Sequence, residues 1–203
     1  MIDDRLNNYL RPYLSYLAKK TVKLGISANT VTIIGFIFGL CCFYSILNLY
    51  FFSAFLFLFL NRFCDGLDGA ISRLIGPSDI GAFYDITFDF IFYSLFPIAF
   101  IFLDIKNAYA ICFLLLSFVS TQTTFLASAW IIEKNKILIS TKQRKSFFYV
   151  GGITEGFETI IFFILMLIFY KSVEWIAYIF GLLCWITSIT RLFYIRKLLT
   201  SSS

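Results

Sequence analysis

Apolar runs that approach or reach the roughly 20 residues needed to cross a bilayer recur along this chain, and they constrain its fold more than any other feature. Six such segments lie at about 30–50, 51–73, 79–103, 107–132, 153–170 and 173–195. Hydrophobic residues fill 60% of the 203 positions and charged residues only 14%, against roughly a quarter charged in a soluble domain. The expected fold is therefore all-α: a polytopic membrane protein with six transmembrane helices. No repeat, low-complexity tract or composition break divides it, so residues 1–203 are expected to form one membrane domain. The N-terminus has no short apolar core followed by a small-residue cleavage site, so no signal peptide is expected.

An amphipathic juxtamembrane helix is expected to precede the bundle, with residues 1–26 at the surface and 27–198 in the six helices. Over residues 3–25 its apolar stripe is Ile2, Leu6, Leu10, Tyr13, Leu17 and Leu24, its basic residues are Arg5, Arg11, Lys19, Lys20 and Lys23, and Pro12 is expected to kink it. SANT, residues 27–30, then opens the first span. The remaining charges test the count. Arg73, Lys134, Lys136, Lys142, Arg144, Lys145, Arg191, Arg196 and Lys197 fall on the same side as the N-terminal cations, and only Lys106 and Lys171 on the other. That alternation places both termini in the cytoplasm.

Five cysteines, Cys41, Cys42, Cys64, Cys112 and Cys184, all lie in apolar segments, and the chain has no histidine. They are expected to be free thiols packed as small apolar side chains. Without histidine, a general base has to come from a carboxylate or something rarer.

Carboxylates stand where a greasy chain should avoid them. Of the twelve acidic residues, Asp65, Asp68, Asp85, Asp89, Glu155 and Glu158 fall inside expected helices. Asp65 and Asp68 are i, i+3 and share a helix face, and Asp85 and Asp89 are i, i+4 and share another. Gly76, Pro77 and Ser78 turn the chain between them. Asp68 and Asp65 lie roughly 8 and 12 Å along the helix from Arg73, and Asp85 and Asp89 roughly 8 and 14 Å from Ile80, so the four can converge. A buried aspartate costs about 2.5–3.5 kcal/mol on insertion scales, and repulsion adds to that. Divalent cations offset both, since Mg²⁺ takes carboxylate, water and phosphate oxygens, and four aspartates could hold two ions. The competing readings are pairing with Arg62 and Arg73, which cannot neutralise four charges, and an ion or proton path. Gly66, Gly69 and Gly81, among the aspartates, would admit a ligand to the backbone or bring helices together. GFIFG, Gly35–Gly39, has no acidic neighbours and is expected to serve packing.

Asp65-x-x-Asp68-Gly69-x-x-Ser72-Arg73, followed by Gly81-x-x-x-Asp85-x-x-x-Asp89, resembles the signature of the CDP-alcohol phosphotransferases, in a bacterial inner-membrane branch. All four aspartates, both signature glycines and the arginine match in order. Ser72 replaces the usual Ala, and only seven residues, Leu74 to Ile80, separate Arg73 from Gly81, a shorter turn than usual that could shift the relative depth of the two pairs. SANTVT, with Asn29 and Thr32, resembles the family's start of the first span, with Ala28 in place of Pro.

The resemblance implies an enzyme of phospholipid biosynthesis. It would transfer a phosphatidyl or other phosphoalcohol group from a CDP-alcohol, usually CDP-diacylglycerol, to an acceptor hydroxyl and release CMP. It implies metal (Mg²⁺ or Mn²⁺, two ions) held by Asp65, Asp68 and Asp85, with Asp89 either a further ligand or the base that deprotonates the acceptor. Gly69 and Arg73 would line the nucleotide pocket, with Asn29 and Thr32 nearby. A homodimer in the inner membrane is implied as well.

KSFFYVGGITEGFET, residues 145–159, also resembles a segment of that branch. Glu155 and Glu158 are i, i+3 at a depth expected to match Asp68 and Asp85. With Lys145 they form a candidate acceptor site: the glutamates would suit hydroxyls or an amine, and Lys142, Arg144 and Lys145 a phosphate. The plainer readings are glutamates paired with Arg191 or those lysines, and a basic run serving topology and anionic lipids. Two alternatives to the transferase remain: a cation- or proton-coupled transporter and a catalytically inactive family relative. A transporter would spread its charges and use paired segments, whereas these acids cluster toward one face.

Overall fold

The structure, a computed structural model, describes residues 2–135, 154 and 156–200. The described residues form seven α-helices: α1 (Ile2–Lys23), α2 (Ala28–Leu47), α3 (Phe51–Ile75), α4 (Asp79–Leu103), α5 (Ala108–Lys134), α6 (Gly156–Ile168) and α7 (Val173–Thr200). They divide into two compact units, residues 1–105 and 106–203. The all-helical class follows from the solvent: backbone polar groups surrounded by hydrocarbon must be satisfied within the segment itself.

Four of the expected spans are long and apolar enough to cross a membrane, namely Ala28–Leu47, Asp79–Leu103, Ile105–Lys134 and Tyr170–Thr200. The other two differ for different reasons. α3 is 25 residues long but carries Arg62, Asp65, Asp68 and Arg73, which lower its apolar character. α6 is apolar but has only 13 residues, and the start of the expected span, at residue 153, lies outside the described residues.

In the first unit α2 is the central element. Ser27 caps its start, its Oγ accepting a hydrogen bond from the Thr30 backbone N–H at 3.2 Å, and Ser at this position satisfies one of the helix's unpaired donors. α2 packs against both α3 and α4, while α3 and α4 meet mainly through side chains. The glycines of GFIFG explain the close approaches. A Cβ on Gly35 would lie 2.9 Å from Cys64 Cβ on α3, and one on Gly39 would lie 2.7 Å from the Phe92 ring on α4. The space left between α3 and α4 receives the charged side chains.

The seven-residue spacer costs only loop. Leu74 and Ile75 remain in α3, Asp79 and Ile80 already belong to α4, and Gly76, Pro77 and Ser78 make the turn. Gly76 sits at φ +98, a backbone conformation that side chains resist. Ser78 Oγ then accepts the Gly81 backbone N–H at 3.1 Å and starts α4.

α1 adds a protein-facing side to the apolar stripe read from the sequence. The face packed against α3 is Leu14, Ala18 and Val22, which join Val31, Cys64, Ala70 and Ile71 in one core. Leu10, Tyr13 and Leu24, assigned above to the apolar stripe, are exposed. The helix therefore has two apolar faces, one on the protein and one turned outward beside Tyr16 and Lys20, whose ammonium lies 4.6 Å from the Tyr16 ring.

The second unit packs α5 and α6 on α7. Its core includes Ile111, Leu114, Phe118, Phe163, Met166, Val173, Ala177 and Phe180, with Phe162 stacked on Phe180 at 4.3 Å. Gly181 gives the close crossing, since a Cβ there would lie 2.7 Å from Phe113. The cysteines are free, but Cys112 is exposed and Cys41 half-buried, so not all of them are core.

Candidate active site

The aspartates reach their positions through helix phase. Asp65 and Asp68 lie one turn apart on α3, facing α4, and Asp85 comes from the second turn of α4. One carboxylate oxygen from each of the three lies within 4.8 Å of the others. The shortened spacer thus leaves the two halves of the signature level with each other. Asp68 is 5% exposed, and the Thr32 hydroxyl on α2 donates to its Oδ2 at 2.5 Å. That bond orients a carboxyl group that would otherwise be costly to bury.

Asp89 is placed differently. The Arg62 guanidinium donates to both of its oxygens, Nη2 to Oδ1 at 2.6 Å and Nη1 to Oδ2 at 3.2 Å. Arg62 Nη1 also lies 3.6 Å from Asp65 Oδ2. The pairing with arginine weighed from the sequence is therefore realised for Arg62. It leaves Asp65, Asp68 and Asp85 grouped, with one cation among four carboxylates.

Two spaces that share Asp65, Asp68 and Asp85 meet these acids. A narrow inner one of about 10 Å³, room for about one water, is lined by Thr32, Asn61, Arg62 and all four aspartates, with Phe36 and Phe88. A wider cleft of about 360 Å³ is lined by Asp65, Asp68, Asp85, Gly66, Gly69, Arg73, Arg11 and Leu14. Carboxylates thus floor a cleft whose rim carries two guanidinium groups.

The nucleotide residues expected from the signature divide between wall and support. Gly69 and Arg73 line the cleft, and a Cβ on Gly69 would lie 3.3 Å from Arg73 Nη1. Thr32 lines the inner space, while Asn29 lies against Gly81, where a Cβ would meet Asn29 Oδ1 and Ser78 Oγ at 2.9 Å each. Gly66 serves both purposes proposed for it: it lines the cleft and admits Leu14 of α1, 3.2 Å from the position of a Cβ.

Arg11 and Arg62 were not assigned to a site from the sequence. Arg11 had a legible signal: with Leu14, Ala18 and Val22 it follows i, i+3, i+7, i+11, the face that α1 turns to the protein. Arg62 had one too, as a cation inside a helix, one turn before Asp65.

The candidate acceptor residues lie apart from this description. Glu158 is half-buried in the first turn of α6, in the second unit, and Lys145 and Glu155 fall outside the described residues. Arg191, expected as a partner for the glutamates, is 4% exposed. It donates to the Thr121 carbonyl at 2.7 Å and to Thr124 Oγ1 at 3.2 Å.

An oxygen-only trio of carboxylates with hydroxyl support fits a hard divalent cation such as Mg²⁺, and offers nothing to a soft metal.

The chain is 39% identical over 192 residues to the inner membrane protein YnjF of Escherichia coli (strain K12), covering 94% of this chain and 93% of the relative. Its fold is similar to that of Mycobacterium tuberculosis phosphatidylinositol phosphate synthase (PgsA1), crystallised with CDP-DAG bound. The TM-score is 0.68 at 19% identity, over 90% of this chain and 92% of that one. The pattern of one family spans residues 25–192, from just after α1 into α7. On that match the chain belongs to the CDP-alcohol phosphatidyltransferase family.

Proposed function

We propose that this chain transfers the phosphatidyl group of a CDP-diacylglycerol-type lipid to the hydroxyl of a small alcohol, releasing CMP, and so builds phospholipid headgroups at the inner membrane. One observation carries the reading: oxygens of Asp65, Asp68 and Asp85 lie within 4.8 Å of one another on the floor of a cleft that also holds Arg11 and Arg73. Carboxylates gathered this closely call for a cation, and guanidinium groups beside them call for phosphate. The fold-similar synthase crystallised with CDP-DAG supports the choice of donor.

The acceptor oxygen forms a new bond to the phosphorus that carries the diacylglycerol, and the bond from that phosphorus to the CMP oxygen breaks. CMP leaves with the electron pair, and the acceptor's proton passes to Asp89. Mg²⁺ or Mn²⁺, with two ions as the expectation, would polarise the phosphoryl oxygens and counter the charge of departing CMP. Asp65, Asp68 and Asp85 would hold it, and Thr32 keeps the Asp68 oxygens in place. Arg73 and Arg11 would orient the donor's pyrophosphate, a fork-shaped cation suiting each phosphate. Gly69 would let the nucleotide approach α3, and Asn29 would hold Gly81 and the start of α4. Lys145, Glu155 and Glu158 are the residues proposed to meet the acceptor.

The proposed topology has six spans, α3 and the segment containing α6 completing the set, with both termini cytoplasmic and a homodimer as the assembly. Cytidine would then arrive from water while the acyl chains stay in lipid. The test is release of labelled CMP from CDP-diacylglycerol by the purified protein with Mg²⁺, offered glycerol 3-phosphate, inositol phosphate, serine or choline in turn. Acceptor-dependent release that stops on chelation is expected. Folded protein that neither releases CMP nor binds CDP-diacylglycerol in a metal-dependent way would overturn the donor assignment.

A further inference from the structure

α1 meets the rest of the protein on a narrow front. Among its described side chains, Leu14, Ala18 and Val22 join the core shared with α2 and α3, and Arg11, on the same face, lines the cleft. One leucine, one alanine and one valine bury little apolar surface for a helix of 22 residues. Larger side chains point elsewhere: Tyr13 is 62% exposed, Tyr16 59% and Leu24 76%. At about 100° per residue, Leu10, Tyr13 and Leu24 share one sector of the helix, and Lys19, Lys20 and Lys23 take the sector beside it. All three lysines are exposed. Lys20 stands at the seam, its ammonium against the Tyr16 ring.

Charge and position say what covers the lysines. No acidic residue stands between Asp4 and Asp65 in the sequence, so neither α1 beyond Asp4 nor α2 supplies them with a partner. Residues 24–27 alone separate Lys23 from α2, whose apolar run Ala28–Leu47 is long enough to cross a membrane. The lysines are thus tethered close to the surface where that run would enter a bilayer, and attraction to anionic lipid acts over about a Debye length, roughly 8 Å. A bilayer offers an apolar layer and a charged layer side by side, in the order in which the two sectors stand, and lysine stems can run from one to the other. We propose that anionic phospholipid headgroups bind Lys19, Lys20 and Lys23, and that this contact holds α1 on the protein with Arg11 in place at the cleft, so that donor binding responds to the charge of the surrounding membrane. The link is mechanical: Arg11 and Lys19 lie about 12 Å apart along one helix. The role of Arg11 toward the donor rests on the transferase reading, and the lipid contact does not.

Backbone hydrogen exchange of the full-length protein reads the contact without turnover, in nanodiscs of phosphatidylcholine alone or with about 30% phosphatidylglycerol. Amides of residues 14–24 are expected to exchange about tenfold more slowly with the anionic lipid, and those of α5 equally in both. Lys19→Gln, Lys20→Gln and Lys23→Gln combined should abolish the difference, and about 0.5 M salt should shrink it. Equal exchange of α1 in the two membranes would overturn the proposal. Inorganic phosphate that reproduced the slowing in neutral nanodiscs would also overturn it, by making the lysines a site for a free anion.

In turnover, the anionic lipid is expected to lower donor KM about fivefold with kcat within about twofold. The triple lysine variant should keep its neutral-membrane KM in both lipids. Arg11→Ala should keep the exchange difference and lose the KM response. A KM response that survived in both variants would place the effect of the lipid elsewhere and overturn the proposal. Charge-dependent protection of α1 with no CMP release in either membrane would sink the transferase reading and leave the lipid contact standing.

Discussion

The two units of this chain both bury polar side chains among apolar helices, and they do so to opposite ends. In the first, Thr32, Asp68, Arg62 and Asp89 form charged contacts between α2, α3 and α4, and three carboxylates still face an open cleft. In the second, hydroxyls bond across α5 and α7, Ser120 to Ser188 at 2.5 Å, while Thr154 meets Thr187 at 2.9 Å and Arg191 donates to Thr121 and Thr124. One network pairs Asp89 with Arg62 and leaves Asp65, Asp68 and Asp85 gathered at a cleft. The other joins hydroxyls and a guanidinium to groups on neighbouring turns and helices. Carboxylates gathered at a cleft ask for a ligand, whereas hydrogen bonds between helices fix their register.

The sharpest break between the units should come from a single carboxylate. Asp68→Asn or Asp85→Asn is expected to lower CMP release on the order of 10³-fold, about 4 kcal/mol of barrier, because the cation loses a ligand. A variant retaining more than a tenth of the wild-type rate would place the chemistry elsewhere. Next come the crossings. Gly39→Val and Gly181→Val each drive a side chain into a ring, Phe92 and Phe113 respectively, and should each destabilise the protein by about 1–3 kcal/mol in detergent unfolding. Gly39→Val should also weaken Mn²⁺ binding, because it pushes α4 away from α2.

Arg11→Ala tests whether the surface helix belongs to the site. Donor KM should rise about tenfold, roughly 1.4 kcal/mol, with kcat nearly kept. An unchanged KM would reduce Arg11 to a bystander on the cleft wall. Smallest of all, Ser188→Ala should cost about 0.6 kcal/mol of stability, the usual worth of a hydrogen bond between membrane helices, and leave CMP release untouched. A fall in turnover there would mean that the second unit's hydroxyls do more than hold helices.

The sequence carried the fold class, the helix boundaries to within a few residues and the convergence of Asp65, Asp68 and Asp85, because periodicity and fixed spacings encode all three. It could not show that Asp89 would pair with Arg62. That depends on Arg62 finding Asn61 and Tyr93 within reach, a fact of packing between helices. The side of α1 that meets protein was likewise not legible: the helix has apolar residues on two sides, and periodicity alone does not say which of them packs on α3. Charge in α3 blurs one of the six expected spans, since a helix shaped around a polar site gives up the hydropathy that would announce it, and the start of the expected fifth span lies outside the described residues.

Asn61 has one further consequence. Its amide is used at both ends, the nitrogen donating to Gly35 and the oxygen accepting from Arg62. Aspartate would lose the donor, leucine both groups, and serine the reach. Asn61 thus ties the guanidinium of α3 to the backbone of α2, and a change at position 61 reaches Arg62 and Gly35 together.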